Sequence, residues 1–300
     1  MSYSRLLHLI YHERWGIRAS HDYKTNIFNL LQGKSFFETE KEKEALQIMA
    51  FNSSNGELLK ASPRTDFDEF PRGSVALIRI DHVMTKFGNW CMWGTENYAN
   101  LLLKASEHEN IIGAIIAYHT PGGAVSSVFP LENAIEKTKE SIPVVTVIDS
   151  NTFSCGYYNG CQGKKVIAIH PMAELGSIGV MAMLVNDKER MKEAGLEILE
   201  IYPEESKYKN LPVREALKKK FDLLIEDELK PLAISFQEHV KKHRGKKLDL
   251  GVEGLLEGKT FFAKDALEYG LIDGIGTMET ALEEVLKLAN RTKMQQTLYQ

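Results

Sequence analysis

From Gly73 onward, short apolar runs alternate with helix-forming segments, and this alternation constrains the fold more than any other feature. Each run is short and rich in β-branched residues, which is typical of a buried strand. The predicted strands are Ser74–Ile80, Ile111–Tyr118, Pro143–Ile148 and Lys165–Ile169. Helices are predicted between them at about 95–105, 127–140 and 154–163. Such alternation implies right-handed crossovers and a mainly parallel sheet covered on both faces, so we expect an α/β fold.

Residues 1–70 are expected to form a separate helical extension and linker. One helix is predicted from Ser20 to Gly33, residues Glu38–Met49 are strongly helix-forming, and Asn52–Pro71 has the Asn, Ser, Pro and Gly content of a linker. Further on, Pro212–His243 is predicted to be one long amphipathic helix. The expected division is therefore an extension over 1–70, a domain over 71–290 and a tail over 291–300.

Composition excludes several classes of function. The 300 residues carry a formal net charge of −4, which gives no electrostatic case for binding nucleic acid. The three cysteines lack the spacing of a disulfide framework, and no metal-ligand spacing joins them to the nine histidines. No run approaches the roughly 20 apolar residues that span a bilayer, and no phosphate- or dinucleotide-binding loop occurs. We expect a soluble, cytoplasmic protein with no cofactor and no metal.

Two glycines and a serine lie where strands are predicted to end. Gly122 and Gly123 follow the second strand, where backbone N–H groups can approach a ligand or stabilise an oxyanion. Ser154 follows the third strand at a predicted helix start, where free N–H groups and the helix dipole favour developing negative charge. Each feature alone is more often an ordinary turn or helix cap.

Residues further along the chain are candidate partners for Ser154. Ser177 lies between two glycines, and the segment Ser206-Lys207-Tyr208-Lys209 has one lysine on either side of a tyrosine, either of which is a candidate. A lysine can act as a general base only when burial or neighbouring cations lower the pKa of its amine. We can assign no Ser–His–Asp set. Other reactive side chains near predicted strand ends are Cys155, an alternative nucleophile, and His119 and His170.

Five motifs in order resemble the SppA-type signal peptide peptidase family of serine proteases, including its phage-encoded members. The family pattern is D-S-P-G-G at a strand end, then A-A-S-G-G-Y-Y, G-S-I-G-V and a lysine in a G-x-Y/H-K context. This chain has H-T-P-G-G at 119–123, T-F-S-C-G-Y-Y at 152–158, G-S-I-G-V at 176–180 and S-K-Y-K-N at 206–210. The segment F-F-A-K-D-A-L-E-Y-G-L-I-D-G-I-G at 261–276 is similar to the family's W-T-G-x-x-A-x-x-x-G-L-V-D-x-x-G. The resemblance covers residues 73–290, approximately.

The resemblance implies a serine endopeptidase with the Clp-protease and crotonase superfold, a stack of ββα units. It places the nucleophile on Ser154, the general base on Lys209 and the serine that hydrogen-bonds the lysine on Ser177. The backbone of Gly123 would stabilise the oxyanion. A polypeptide substrate would bind extended, by strand addition beside the loop that contains Gly122 and Gly123.

Two residues depart from the family pattern. His119 stands where the family has Asp, which bears on how the glycine loop is anchored. Cys155 stands where the family has the first glycine after the nucleophile, and its backbone is the second oxyanion donor that the resemblance implies. Both departures therefore bear on the geometry of the expected oxyanion site.

Several functions are compatible with this resemblance. No membrane anchor is visible, and Trp15-Gly16-Ile17 ahead of an amphipathic segment is similar to the openings of phage members. We therefore expect a head maturation protease that cleaves capsid-associated proteins in the host cytoplasm or prohead. The alternative within the family is a signal peptide peptidase. Outside that activity, the alternatives are an acyl-CoA hydratase or isomerase and an inactive structural homologue.

The resemblance also implies the assembly state. Family members form rings, so we expect a homo-oligomer. Its candidate contact elements are the predicted helix over 212–243 and the loop that contains Trp90 and Trp93.

Overall fold

The computed structural model describes residues 15–17, 47–62, 66–88, 93–186, 188–197 and 199–298. Its strands are β1 (Trp15–Ile17), β2 (Ile48–Phe51), β3 (Leu58–Ala61), β4 (Ser74–Ile80), β5 (Ile111–Thr120), β6 (Gly122–Ala124), β7 (Val144–Phe153), β8 (Lys165–Ala168), β9 (Glu174–Gly176), β10 (Thr260–Phe262) and β11 (Gly274–Ile275). Its α-helices are α1 (Thr95–Glu107), α2 (Val128–Ser141), α3 (Cys155–Gly160), α4 (Lys188–Glu193), α5 (Leu211–Leu217), α6 (Asp222–Leu224), α7 (Lys230–Arg244), α8 (Ala263–Glu268) and α9 (Met278–Leu298).

One sheet organises the described part of the chain. Its strand order is β10-β9-β7-β5-β4-β2-β3, with β8 paired to β7 and β11 paired to β8. Strands β4, β5, β7 and β8 are parallel neighbours, whereas β2, β3 and β10 run antiparallel to their neighbours. The predicted α/β class, a mainly parallel sheet flanked by helices, is confirmed.

Helices cover both faces of the sheet, which explains why its strands are apolar almost throughout. Ile78 and Ile116 point to one face and belong to the core cluster with α1 and α2. Leu77 and Ile115 point to the other face and belong to the cluster with α9. Successive side chains of a strand point to opposite faces, so a strand between two helical layers must be apolar at both sets of positions.

The long strand β7 forks, and the fork positions the residues that follow it. Its first half, from Val145 to Ile148, pairs with β8, and its second half, from Asn151 to Phe153, pairs with β9. On the other edge it stays paired with β5, where Thr152 lies opposite Thr120. The carboxyl ends of β5, β7 and β9 therefore meet at one edge, and the three motifs that follow those strands are brought together there.

The sheet begins earlier than the sequence predicts. Ile48–Phe51 and Leu58–Ala61 form an antiparallel hairpin that pairs with β4. The predicted helix over Glu38–Met49 is wrong at residues 48 and 49, and the predicted linker over Asn52–Pro71 is wrong at β3. The reason is tertiary: Ile48 and Ala50 are buried in the core, and pairing with β4 overrides local helix propensity. The helix predicted from Ser20 to Gly33 lies outside the described residues.

The helix predicted over Pro212–His243 is interrupted. It ends at Leu217, turns through Lys219 with φ of 65°, and resumes at Asp222. A π-helical turn over Ile225–Leu229 then joins α6 to α7. Pro231 in the first turn of α7 has no N–H to donate, and the wider turn before it accommodates this loss. At the other end of the chain, α9 continues to Leu298, past the boundary predicted at residue 290.

One buried ion pair joins the end of α7 to the segment before β11. The side chains of Arg244 and Asp273 are only 1% and 6% exposed. Arg244 Nη1 and Nη2 donate to the Asp273 carboxylate at 2.9 and 3.1 Å, Lys247 Nζ lies 2.6 Å from it, and the Val166 N–H of β8 donates to it at 2.8 Å. Burial alone would raise the pKa of Asp273, but the hydrogen bonds and charge of Arg244 outweigh it and lower the pKa to about 2.

We expect Asp273→Asn to destabilise the protein by about 3 kcal/mol at pH 7, because the Arg244 guanidinium stays buried without its counter-charge. The pKa of Asp273 in the folded protein lies below the value of about 3.9 in an unfolded chain. Its contribution is therefore present above about pH 4 and is lost as the pH falls toward 2. Urea unfolding at pH 7 and pH 3 measures both effects, and the gap between wild type and variant should shrink at pH 3.

The matched control for this prediction is Glu284→Gln, which removes the more exposed pair with Lys287. It should cost less than about 0.5 kcal/mol. Equal losses in the two variants would contradict the prediction.

Candidate active site

Ser154 occupies a strained turn between β7 and α3. Its backbone has φ of 51° and ψ of −118°, in the half of conformational space that non-glycine residues rarely enter. Such a conformation costs about 1–3 kcal/mol and persists only where the surroundings impose it. Here Ser154 N–H donates to Gly176 O at 2.8 Å, and Ser154 O accepts the Tyr158 N–H at 2.8 Å. A strained strand-to-helix turn of this kind is one known way to present a serine nucleophile.

The hydroxyl of Ser154 is held in place as well as its backbone. The residue is 1% exposed, and Oγ donates to Gly179 O at 3.1 Å. Within the described part of the chain, no histidine, lysine or carboxylate hydrogen-bonds to this hydroxyl. The Ser154 hydroxyl therefore donates its hydrogen bond to a backbone carbonyl of the Gly176–Val180 segment and not to a described basic side chain.

Both tyrosines that follow the serine anchor helix α3. Burial raises the pKa of Tyr157, so its phenol stays neutral and donates to Leu271 O at 2.7 Å. Tyr158 donates to Glu132 Oε2 at 3.1 Å, and the ring of His239 stacks on it with centroids 3.8 Å apart. His239 Nε2 also donates to Tyr158 O at 3.0 Å. These contacts explain the Tyr-Tyr pair, because they fix the helix that carries the strained turn.

The glycine loop lies beside this turn. Gly122 has φ of 99°, and its N–H donates to Thr120 Oγ1 at 3.1 Å, while that hydroxyl donates to His82 O at 2.6 Å. Gly123 runs against Met84 so closely that a Cβ on it would lie 1.9 Å from Met84 O. Glycine is therefore the only residue that this approach admits at position 123.

Cys155 connects the turn to the glycine loop. Its buried thiol lies 3.4 Å from Gly123 O and 3.7 Å from Ala124 O. The side chain that replaces the family's glycine is thus accommodated beneath β6. His119, the other departure from the family pattern, is exposed and shares a hydrogen bond of 2.6 Å with Ser150 Oγ.

Ser177 follows β9 and flanks the same turn. It has φ of 52°, and its N–H donates to Lys259 O at 2.9 Å. The side chain is half-buried, and among the residues that the structure describes its hydroxyl has no hydrogen-bond partner. It lies between Gly176 and Gly179, the two residues whose carbonyls hold Ser154.

Lys209 has no described hydrogen bond or ion pair with this group. It lies in the turn between a 3-10 segment at Glu204–Ser206 and α5, its side chain is exposed, and it lines an open cavity with Glu200 and Tyr202. No described group forms a hydrogen bond or an ion pair with Lys209 Nζ, so nothing joins it to Ser154. Described residues from 179 to 215 include none that is buried. The core therefore does not fix the position of this lysine.

The structure thus brings together the glycine loop, Ser154, Cys155 and the segment of Ser177, and gives no described hydrogen bond between Lys209 and any of them. A comparison with known protein families matches residues 136–292 to peptidase family S49. The chain belongs to peptidase family S49. The matched range contains the serines and the lysine, and begins after Gly122 and Gly123. The expected membership of the family that contains the SppA-type peptidases is confirmed.

This S49 chain also resembles curated sequences and solved structures. A Methanocaldococcus jannaschii protein named as a protease is 27% identical over 195 residues, which cover 64% of this chain and 61% of that protein. An Enterococcus faecium protein named as signal peptide peptidase SppA is 24% identical over 200 residues, covering 64% of this chain and 55% of that protein. A solved mutant of a membrane-bound stomatin-specific protease covers 69% of this chain and 81% of that chain, with 16% identity and a TM-score of 0.45. The S49 chain spans a little over half the length of the two sequence relatives.

Three parts of the site escaped the sequence analysis. Thr120 pins the glycine loop, and a threonine two residues before a glycine was a signal that could have found it. Gly179 accepts the hydrogen bond of the Ser154 hydroxyl through its backbone carbonyl, so the residue type at this position does not indicate the role. Trp15–Ile17 pairs with β6 as a strand, and three residues are too few to show a periodicity.

No described helix has the combined length and apolar character needed to cross a bilayer. No three His, Cys, Asp or Glu side chains in the described ranges are grouped so that they could hold a metal ion.

Proposed function

We propose that this S49 chain is a serine endopeptidase, with Ser154 as the nucleophile and Lys209 as the general base. The observation that carries the proposal is the strained turn of Ser154 beside the Gly122–Gly123 loop. A buried serine held in a costly backbone conformation next to a close-approach glycine has no evident packing purpose. Backbone strain of this kind clusters at active sites, where the surrounding structure holds it in place.

The chemistry that we propose is acyl transfer. The neutral amine of Lys209 removes the proton from Ser154 Oγ, which attacks the carbonyl carbon of a peptide bond. Backbone N–H groups of Gly123 and Cys155 stabilise the oxyanion, a contribution often worth about 3–4 kcal/mol per well-placed donor. The protonated lysine then gives its proton to the leaving amine as the C–N bond breaks. Water then attacks the carbonyl carbon of the acyl-enzyme. Lys209 accepts the proton of that water and returns it to Ser154 Oγ as the ester bond breaks.

This chemistry requires Lys209 to approach Ser154. A general base must lie within hydrogen-bond reach of the proton that it removes, and such contacts are often completed only when substrate binds. We propose that the segment over 179–215, which has no buried residue among those described, closes on the substrate and carries Lys209 inward. The hydroxyl of Ser177 then accepts a hydrogen bond from the amine and orients it.

Wild-type protein should hydrolyse casein and should react with a fluorophosphonate probe at Ser154, located by peptide mass spectrometry. A peptidase activates its serine, and only an activated serine reacts with this probe at a useful rate. Turnover of crotonyl-CoA without casein hydrolysis would instead support the hydratase alternative. Neither activity, together with no labelling, would support the inactive structural homologue and would overturn the proposal.

Two biological roles use the same chemistry and differ in substrate. The N-terminal resemblance to phage members favours maturation of a capsid, whereas one relative is named as a signal peptide peptidase. We keep capsid maturation as the proposed role, with signal peptides as the alternative substrates. Cleavage of a scaffold or capsid protein encoded by a neighbouring gene would support the first role, and cleavage of signal peptides alone would support the second.

A ring-shaped homo-oligomer is part of the proposal. The helical stretch over 211–244 exposes large apolar side chains at Phe221, Ile225 and Ile234, which supports it as a contact element. The other candidate element is weakened, because Trp93 packs edge-on against Tyr98 at 5.5 Å, and Trp90 lies outside the described residues. Light scattering at micromolar concentration tests the ring, and a monomer would count against it.

A further inference from the structure

Strand β1 stands outside the main sheet, and its partner among the described strands is β6 of the glycine loop. It consists of Trp15–Ile17 and runs antiparallel to β6 in a separate two-stranded sheet. In the register, Trp15 lies opposite Ala124, Gly16 opposite Gly123 and Ile17 opposite Gly122. A segment more than 100 residues earlier in the chain is therefore placed on the loop beside Ser154.

The hydrogen bonds of β6 show which backbone groups this strand uses. Gly122 O accepts the Met84 N–H at 2.8 Å, and Ala124 N–H donates to Met84 O at 3.0 Å. These groups face Met84, so the N–H and C=O of Gly123 face the opposite edge, because polar groups alternate along a strand. Gly16 is the register partner of Gly123 on that edge. An antiparallel pair in this position exchanges both of its N–H···O bonds.

The same edge is the one that an extended substrate needs. Under the proposed function, a peptide adds as a strand along β6, and Gly123 N–H stabilises the oxyanion. Gly16 therefore takes the position of a substrate residue opposite Gly123, whose carbonyl lies 3.4 Å from the thiol of Cys155. The following inference rests on that proposed function.

We propose that Trp15–Ile17 is a built-in inhibitory strand, which occupies the substrate edge of β6 until a peptide displaces it. The occupant is an extended main chain, so its competitors are extended polypeptides and not small molecules. Among the described residues of β1, one pair, Gly16 with Gly123, is placed to exchange hydrogen bonds with β6, and each such bond contributes little net stability. The strand therefore holds the site weakly, and a longer peptide that forms more pairs removes it.

A binding measurement tests this strand without needing catalysis. In a Ser154→Ala background, a fluorescein-labelled peptide with the sequence of residues 11–21, YHERWGIRASH, is titrated and followed by fluorescence anisotropy. Gly16→Pro removes the N–H that pairs with Gly123 and should release the edge. We expect the variant to bind the peptide about tenfold more tightly than the parent, since an occupied site lowers the apparent affinity by the fraction that is open.

Trp15→Pro is the matched control. Trp15 lies opposite Ala124, whose N–H is bonded to Met84, so the N–H of Trp15 faces away from β6. Proline is tolerated at such a position, and this variant should bind the peptide as weakly as the parent. Hydrogen exchange at the Gly123 amide is a second readout, and it should accelerate in Gly16→Pro alone.

The possible outcomes separate this inference from the proposed function. Equal peptide affinity and equal Gly123 exchange in Gly16→Pro, Trp15→Pro and the parent would overturn the inhibitory strand, even in an active peptidase. A deletion of residues 1–20 that binds no more tightly than the parent would overturn it as well. Tighter binding by Gly16→Pro in a protein whose Ser154 form cleaves nothing would refute the peptidase and leave the inhibitory strand standing.

Discussion

Replacing Ser154 by alanine is expected to lower kcat/KM for casein hydrolysis by at least about 10⁴-fold. The change removes the atom that forms the acyl-enzyme, and loss of a nucleophilic serine leaves only the stabilisation supplied by binding and the oxyanion donors. Alanine tolerates the strained turn of Ser154 no better than serine, so circular dichroism and a melting curve should accompany the assay. Initial rates of fluorescent-casein cleavage measure the effect, and fluorophosphonate labelling should disappear in parallel.

Ser150→Ala is the matched control for this variant. Ser150 lies on the same strand, β7, and its hydroxyl bonds the exposed His119 instead of the candidate site. Its rate should stay within about twofold of wild type, since surface changes away from a site have small effects. Full activity in Ser154→Ala would reject the serine as nucleophile. Cys155 would then be the next residue to change, although its thiol is buried under Gly123.

Lys209→Met should lower kcat/KM by about 10²–10⁴-fold, the range that a positioned general base contributes. Methionine keeps an unbranched, flexible side chain and removes the amine, so the loss reports proton transfer more than packing. The same initial-rate assay applies at a single pH. The double variant with Ser154→Ala should be no slower than Ser154→Ala alone, because residues that act as a unit are not additive.

Lys207→Met is the control in the same turn. Lys207 Nζ pairs with Glu204 at 2.7 Å and both side chains are exposed, so its removal should change the rate less than twofold. If Lys207→Met and Lys209→Met reduce the rate equally, the base assignment fails. If neither variant reduces the rate, Lys209 has no role in catalysis and another residue serves as the general base.

The fold was predictable because its strongest determinants are local. Ile111–Tyr118 and Pro143–Ile148 are apolar on both faces, and only a sheet covered twice can bury them. The hairpin at Ile48–Ala61 was not predictable, because its residues form strands only when β4 is present to pair with them. Propensity over Glu38–Met49 favours a helix, and tertiary pairing overrides it at the last two residues.

The candidate site divides in the same way. The importance of Gly123 and Ser154 can be predicted from the sequence, because each position requires one residue type. Gly123 is required by the close approach of Met84, and Ser154 by the proposed chemistry. The roles of Met84 and Gly179 are carried by backbone groups, so any residue there would look the same in a sequence. Lys209 was assigned by resemblance alone, and the described chain does not pack around it. Its contact with Ser154 therefore stays a prediction.

The fork of β7 also sets how short an active fragment of this chain can be. Beyond Ile148 the strand is supported on that side by β9, and β9 is supported in turn by β10. The carbonyl of Lys259, just before β10, holds Ser177 N–H, and Gly176 holds the serine turn. A fragment that ends before Phe262 would keep both residues of the proposed dyad but lose the complete β10 strand that pairs with β9. The smallest competent unit therefore extends at least 50 residues past the proposed base, into a segment that contributes no chemistry of its own.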